Sequence, residues 1–384
     1  RMTLACARIG LQGESSRMFP QHSRATDAPS PMMHPDYETT EIAVGWNGLP
    51  AYGARLVKAG MARLGKTFPV IGTPPAIPIE GMEEILGQKV HWVDHDSEPK
   101  WADLGLPVPK RFLATGWAHT PLNALGADVR AHGGKVAMMM DNSWKGTLRQ
   151  YVGMLVYRVK MRGWHAAAMV PGRRGRRLMR RFGMPDDRIF GKLYGSEPSV
   201  FFPGPPLSQR PKQLLFVGQF IDRKGVRELV DAFRAVRDDF PDWHLRLFGS
   251  GPLAEAIKPQ AQIEVRPFAQ PDAIAEAMRA SRALVLPSRE DNWPLVVHEA
   301  ACSGCALILT RHIGNSDEFA CGGNGIIIDR TDTELLAGAL RDFMSRDDSA
   351  LDTMGAESAR LAQGFGPEPW AETFLQILEA IRPS

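Results

Sequence analysis

The chain has 384 residues, 44% hydrophobic and 23% charged, the balance of a soluble globular protein with more length than one ordinary core requires, so two domains are expected. Its formal net charge is only +3, a basic excess too small for a dedicated nucleic-acid binder. No run of about 18 apolar residues occurs, so no membrane-spanning helix is expected, and residues 1–8 hold too brief an apolar patch to predict a signal peptide.

Residues 1–38, rich in Ser, Pro, Met and Arg without periodicity, predict a loose extension. Regular patterning starts at Glu41. Residues 41–46 predict a strand and 51–64 a helix, followed by strands at 68–73, 90–94, 111–117 and 135–141, with a helix at 121–132 between the last two. Proline concentrates at 201–213 and predicts an interdomain linker. Beyond it come a strand at 214–218, a helix at 226–236 with Val226, Leu229, Val230, Phe233 and Val236 on one face, and a strand at 244–249. A helix at 272–280, a strand at 283–288, a helix at 294–303 closed by Gly304, strands at 305–310 and 325–329 and a helix at 333–344 complete the order. Strands alternating with helices of this length predict an α/β protein with parallel sheets. The expected architecture is two Rossmann-like domains, 39–203 and 204–384, facing across a cleft, with the last helix able to pack back on the first domain.

Cys302-x-x-Cys305 has the spacing of a zinc or redox pair. No second pair follows, however, and the motif lies where a helix passes through Ser303-Gly304 into a strand. Cys6, Cys302, Cys305 and Cys321 are therefore expected to be buried, reduced thiols in a cytosolic setting.

The stretch most suited to chemistry is 287–304. A strand ends at Ser288, an acidic loop follows, and Pro294 opens a helix, where its missing N–H is not needed. The N–H groups of Leu295 and Val296 then lack intrahelical partners, and such a helix start binds phosphate. Glu299 lies five residues beyond Pro294, about 7.5 Å along the axis at about 1.5 Å per residue, where a carboxylate can accept from the two hydroxyls of a ribose. Asp291 can face sugar hydroxyls on the other side of a pyrophosphate. The plainer alternative is that Glu299 is merely a helix surface acid and Pro294 a routine helix start.

This stretch resembles the E-x7-E signature of retaining glycosyltransferases of family 4, with Asp291 in the first acidic position, Glu290 just before it, and Glu299 in the second. Residues 216–233 resemble the family's V-G-R-x…K-G segment. Gly218 and Lys224-Gly225 match, Gln219 replaces the usual arginine, and Arg223 is placed to supply the missing charge. The loop at 247–253 resembles the family's G-x-G-P-L turn, with Gly251 as its second glycine. Residues 265–288 match the next block, whose backbone around Pro267 and Phe268 would receive the base, and 312–329 match the segment after it. The resemblance covers about 130 residues in the family's order.

The resemblance implies the GT-B fold, a nucleoside-diphosphate sugar as donor substrate rather than a bound cofactor, a glycan or glycolipid acceptor, and transfer of a hexosyl group with retention. Lys224, Arg223 and the Leu295 and Val296 amides would stabilise the leaving diphosphate. Asp291 and Glu290 would orient the sugar, and Glu299 the ribose. In the first half the likeness is looser. His119 stands near a position where relatives carry a cleft histidine, and Asp141 and Asn142 near another; a bystander after a strand is the plainer reading of His119. The run Arg173–Arg181 with Arg158, Lys160 and Arg162 is compatible with an anionic membrane surface, an acidic acceptor or a solvated face, which gives a cytoplasmic protein peripheral to the inner face of the membrane. Asp94-His95-Asp96 has the form of a D-x-D metal motif but reads as a solvated turn, so no metal is expected. Two rivals remain open: a degenerate GT-B domain that binds a nucleotide sugar without turnover, and a GT-B sugar-nucleotide epimerase.

Overall fold

The computed structural model describes residues 37–75, 81–142, 144 and 146–383. The expected loose extension falls, apart from Tyr37 and Glu38, outside the described residues, as does Cys6. The first half runs β1 (Ile42–Trp46), α1 (Ala51–Leu64), β2 (Val70–Gly72), α2 (Met82–Leu86), β3 (His91–Trp92), β4 (Arg111–Thr115), α3 (Thr120–Ala131), β5 (Lys135–Met139), α4 (Leu148–Lys160), β6 (Ala167–Met169), α5 (Arg173–Phe182) and β7 (Ile189–Phe190). The second half continues with β8 (Gln213–Val217), α6 (Val226–Val236), β9 (His244–Phe248), β10 (Ile263–Arg266), α7 (Pro271–Arg279), β11 (Ala283–Leu286), α8 (Leu295–Cys302), β12 (Ala306–Thr310), α9 (Ser316–Phe319) and β13 (Gly325–Ile328). Helices α10 (Thr333–Met344), α11 (Asp348–Ala362) and α12 (Pro367–Ala380) follow.

Two wholly parallel sheets result. The first has strand order β3-β2-β1-β4-β5-β6-β7 and the second β10-β9-β8-β11-β12-β13. A parallel sheet is covered by helices on both faces, so its central strands must be apolar throughout. That is why 283–286 and 306–310 are buried at every position. In both sheets the chain order reverses beside the first strand, between β1 and β4 and between β8 and β11. Such reversals leave a crevice at the carboxyl ends of the strands, where ligands bind.

Several boundaries differ from the sequence pattern for local reasons. The strand expected at 68–73 shrinks to Val70–Gly72, because Pro69 has no N–H to donate. Residues 90–94 keep only a two-residue edge strand before the chain turns back through the Ser97 N–H to the Asp94 carbonyl. The proline-rich stretch expected as a linker is bolted to the second sheet. Arg210, 4% exposed, donates to the carbonyls of Pro205, Met278, Ser281 and Ser303. A buried guanidinium surrounded by carbonyl acceptors is satisfied without a carboxylate.

Helix α12 crosses back to the first sheet. Trp370, Phe374, Ile377 and Leu378 join the cluster built on β1, α1 and β2. The approach is close at Gly60, where an added Cβ would lie 2.8 Å from the Trp370 ring. Phe374 lies 5.5 Å from Phe68 and stacks on Trp370. Among the described residues, no helix is long and apolar enough to cross a membrane. Phe374→Ala should therefore cost about 3–5 kcal/mol of stability. Hydrogen exchange should show the loss in β1 and α1 first, and equal loss of protection in β8 and β11 would contradict this packing.

Candidate functional site

The loops after β8, β9, β11 and β12 are held together backbone to backbone. The Gly218 N–H donates to the Phe248 carbonyl, Phe220 to Ser250, Arg289 to Arg223, and Gly314 to Asp291. The spacing leaves no room for side chains at three glycines. A Cβ on Gly249 would fall 1.9 Å from the Gly218 carbonyl oxygen, one on Gly314 1.7 Å from that of Asn292, and one on Gly225 2.4 Å from that of Pro287. Gly225 also has φ +67, a left-handed conformation in which only glycine is unstrained. Gly251 has φ +149, with Phe220 backbone 2.6 Å from a Cβ there.

This lacing delivers the charged residues. A short turn, Asp222–Lys224, presents Lys224 beside the acidic loop. Lys224 Nζ lies 2.5 Å from Asp291 Oδ2, and Arg223 Nη1 lies 3.5 Å from the same oxygen while donating to the Glu290 carbonyl at 2.7 Å. The Lys224 and Asp291 side chains are 12% and 16% exposed, so solvent screens their attraction only partly. Four residues singled out in the sequence, Lys224, Arg223, Glu290 and Asp291, thus meet at one place. Asp291 is the counterion of both cations.

Helix α8 begins at Leu295, one residue later than its pattern suggests, and Pro294 is its N-cap with extended ψ of 113°. The Val297 N–H turns back to the Pro294 carbonyl, and among the described residues the Leu295 and Val296 N–H groups meet no protein acceptor. Further along, Glu299 lines a cavity of about 460 Å³ with Gly218, Gln219, Gly249, Ser250 and Phe268. Phe268 is 68% exposed and offers a ring face; Pro267, beside it, is exposed and outside the lining. Burial pushes the Glu299 carboxyl up to about 7 from its ordinary 4.5. The folded state therefore holds this proton more tightly than the unfolded chain. Its stabilising contribution is full below pH 4.5 and is lost as pH rises through about 7.

A second cavity, also about 460 Å³, sits at the reversal between β1 and β4 and is lined by Asn47, Tyr52, Trp117, His119, Asp141, Asn142 and Tyr194 among others. His119 is the N-cap of α3, and its ring lies where a Cβ on Gly116 would be 2.4 Å away. Desolvation lowers its pKa, Asp141 opposes that shift, and His95 adds to it. Tyr194 and Tyr52 meet edge to face with ring centroids 5.7 Å apart, and burial, with the nearby Asp141 carboxylate, raises both phenols. The structure thus places His119 with Asp141 and Asn142, in a pocket separate from the one that contains Glu299. Tyr52 and Tyr194 carry no local signal; they sit 142 positions apart and meet only through the fold. A larger cavity of about 710 Å³ lies at the crossing of residues 196–203 with 359–369 and contains none of these groups.

Other sequence features resolve differently. Asp94, His95 and Asp96 are exposed after β3, with His95 Nε2 against the Pro74 carbonyl. Among the described residues no three His, Cys, Asp or Glu side chains gather as a metal site. Cys302, Cys305 and Cys321 are free thiols. Burial raises Cys305 to about 11, but Cys321 is exposed, against expectation, because it follows the short α9 in a surface turn. The arginines of α5 are not an unengaged face. Arg176 and Arg180 both pair with Asp186, while Arg174 and Arg177 reach Asp317.

Residues 201–360 match the family model described as glycosyl transferases group 1. Over 224 residues the chain is 26% identical to a D-inositol 3-phosphate glycosyltransferase of Corynebacterium glutamicum, covering 52% of this chain and 53% of that protein. Over 227 residues it is 27% identical to a namesake from Rhodococcus opacus, covering 53% and 50%. The chain spans about half the length of these curated relatives. It superposes on Anabaena HepE in complex with UDP and glucose with a TM-score of 0.66 at 14% identity, covering 89% of this chain and all of that one. For sucrose-phosphate synthase from Thermosynechococcus elongatus the TM-score is 0.65 at 17% identity, covering 88% and 98%. At such identities the likeness is one of fold, two Rossmann-like domains in the GT-B arrangement. The match to the glycosyl transferases group 1 family is thus confined to residues 201–360, within a chain whose fold is GT-B.

Proposed function

We propose that the protein is a retaining glycosyltransferase that moves a hexosyl group from a nucleoside-diphosphate sugar to a hydroxyl of a glycan or glycolipid acceptor. Its place would be the cytoplasm, peripheral to the inner face of the membrane. The observation that carries the reading is the convergence of Lys224, Arg223 and Asp291 at the β8/β11 reversal, in the same set of loops as the Glu299 cavity. The relative crystallised with UDP and glucose has the same fold and supports it.

In this mechanism the base lies against Phe268, the ribose hydroxyls donate to Glu299, and the diphosphate rests on the Leu295 and Val296 amides. Lys224 and Arg223 face the diphosphate while Asp291 holds them. The acceptor oxygen bonds to the anomeric carbon on the face that the diphosphate leaves, and the acceptor proton passes to a leaving phosphate oxygen. No protein nucleophile is needed. Catalysis is positioning and electrostatics. Pocket residues His119 and Asp141 would contact the acceptor or the transferred sugar. Gln219, in the place of the family's arginine, and Asp291, in the place of its first glutamate, are the features that favour binding without turnover; an epimerase would release or convert the sugar without joining it to an acceptor.

A panel of nucleotide sugars, followed by nucleoside diphosphate release with and without acceptor in excess EDTA, separates these readings. Transfer with retained anomeric configuration is expected, and it should persist with chelator. Binding with neither hydrolysis nor transfer would leave only the degenerate domain, and activity lost in EDTA but restored by manganese would move the donor chemistry elsewhere.

Because ribose hydroxyls favour an ionised acceptor, nucleotide binding below pH 7 should release a proton from Glu299. Affinity should fall by up to about tenfold per unit as pH drops below 7. Glu299→Gln should remove that slope and, at pH 8, cost roughly 1.5–3 kcal/mol per lost charged bond. Calorimetry in buffers of different ionisation enthalpy reads both quantities, and an unchanged slope would remove Glu299 from the ribose. Lys224 acts chiefly on charge that develops as the bond breaks. Lys224→Met should thus lower kcat by roughly 10²–10³-fold while raising the donor KM less. An unchanged kcat at saturating donor would exclude the role.

A further inference from the structure

Helix α4 carries its apolar stripe on the side away from the core. Leu148, Tyr151, Val152, Leu155, Val156 and Val159 recur at i, i+3, i+4, i+7, i+8 and i+11 and share one face. All six are exposed, by 38% to 80%. The opposite face anchors the helix. Tyr157 is buried edge-on to Trp117 and against Phe182, and Met154 packs on the same cluster. Thr147 caps the start by accepting from the Gln150 N–H. The result is a well-seated helix about 20 Å long with a continuous apolar strip facing outward. Single exposed apolar residues are ordinary; a contiguous strip marks an interaction surface.

The sequence segment that carries the helix has one sign of charge, although the α5 arginines in it are paired with Asp186 and Asp317. From Asn142 to Pro185 the chain has eleven Lys and Arg residues and no Asp or Glu. Arg149, Arg158, Lys160 and Arg162 are exposed on α4 or just beyond it. At the amino end of the strip Trp144 and Tyr151 meet edge to face at 4.9 Å, with Arg181 over the Trp144 ring. Aromatic side chains with a polar tip and long basic side chains suit a boundary between hydrocarbon and water.

We propose that α4 is an interfacial helix that docks this protein on an anionic bilayer leaflet. The strip enters the boundary between headgroups and acyl chains, and the flanking basic residues meet the anionic headgroups. A second copy of the chain is a poorer match, because its own basic segments would face these. The inference rests on the peripheral placement proposed above and assigns it to α4 rather than to the paired arginines of α5. It also explains the position of the helix: Trp117, which packs on Tyr157, lines the His119 pocket, so docking brings that pocket to the lipid surface.

Sedimentation of the full chain with phosphatidylcholine vesicles, with and without phosphatidylglycerol, tests this. Binding should require the anionic lipid and weaken as salt is raised. Leu155→Glu with Val159→Glu should reduce the bound fraction about tenfold or more, at an unchanged thermal midpoint because both side chains are exposed. Leu155→Ser with Val159→Ser should act in the same direction without added charge. Equal binding to neutral and anionic vesicles, or full binding by both double variants, overturns the proposal. Binding kept by those variants but lost in Arg176→Gln with Arg180→Gln overturns docking through α4 and leaves a peripheral protein held by α5. Lipid-free self-association that Leu155→Glu abolishes would assign the strip to a second copy and overturn it as well.

Discussion

The second domain depends on how closely its backbone segments approach at the carboxyl ends of four strands. Where a Cβ would stand 1.7–2.4 Å from a carbonyl oxygen, as at Gly249, Gly314 and Gly225, nothing but glycine can occupy the position. That closeness lets the loops hydrogen-bond to one another directly instead of through mobile side chains. A lysine on one loop and an aspartate on another then need no further support to meet. Rigid presentation of this kind suits the electrostatic role proposed for Lys224, since a prearranged charge does not have to reorganise during bond cleavage.

The two charged elements of the site respond to their surroundings in opposite ways. Asp291 has two cations at hand and serves as their partner, whereas Glu299 has apolar neighbours and keeps its proton to about pH 7. Both arrangements avoid an uncompensated buried charge within the protein itself. An uncompensated carboxylate in the cavity would cost stability, and so would two adjacent unpaired cations. A donor carrying hydroxyls and a diphosphate would meet both needs at once, giving the carboxyl its charge-assisted donors and the cations a second anion.

The sequence was readable where the site is local. Pro294, Glu299 and Gly304 punctuate a single helix, and Lys224-Gly225 marks a single turn, so their spacing survives as pattern. The pairing of Lys224 with Asp291 spans 67 positions, and nothing in either segment alone announces it. The pocket around His119 was less legible still. Tyr194 lies in an aperiodic crossing segment and meets Tyr52 and Asp141 only after the first sheet has formed. Helix α4 misleads in another way: its i, i+3, i+4 stripe has the period of a core-facing helix, and only the exposure of that stripe distinguishes it. The charge run of α5 has the reverse problem. Asp186 lies nearby in sequence, but Asp317, 143 positions from Arg174, had to be brought by the fold.

The crossing segments meet backbone to backbone at Gly195 and Gly366, where a Cβ on the former would lie 2.4 Å from the latter's Cα. Beyond that crossing, residues 370–381 supply Trp370, Phe374, Ile377, Leu378 and Ile381 to a core whose remaining buried members come from residues before 194. During synthesis the two domains therefore mature out of order. The second can close its core once residues 204–362 have emerged, since its strands and helices are contiguous. The first waits with an open apolar groove on α1 until residues 367–381 arrive. An amino-terminal fragment released early would expose Gly60 and its apolar neighbours to water, and a chaperone would meet this protein by the domain made first and finished last.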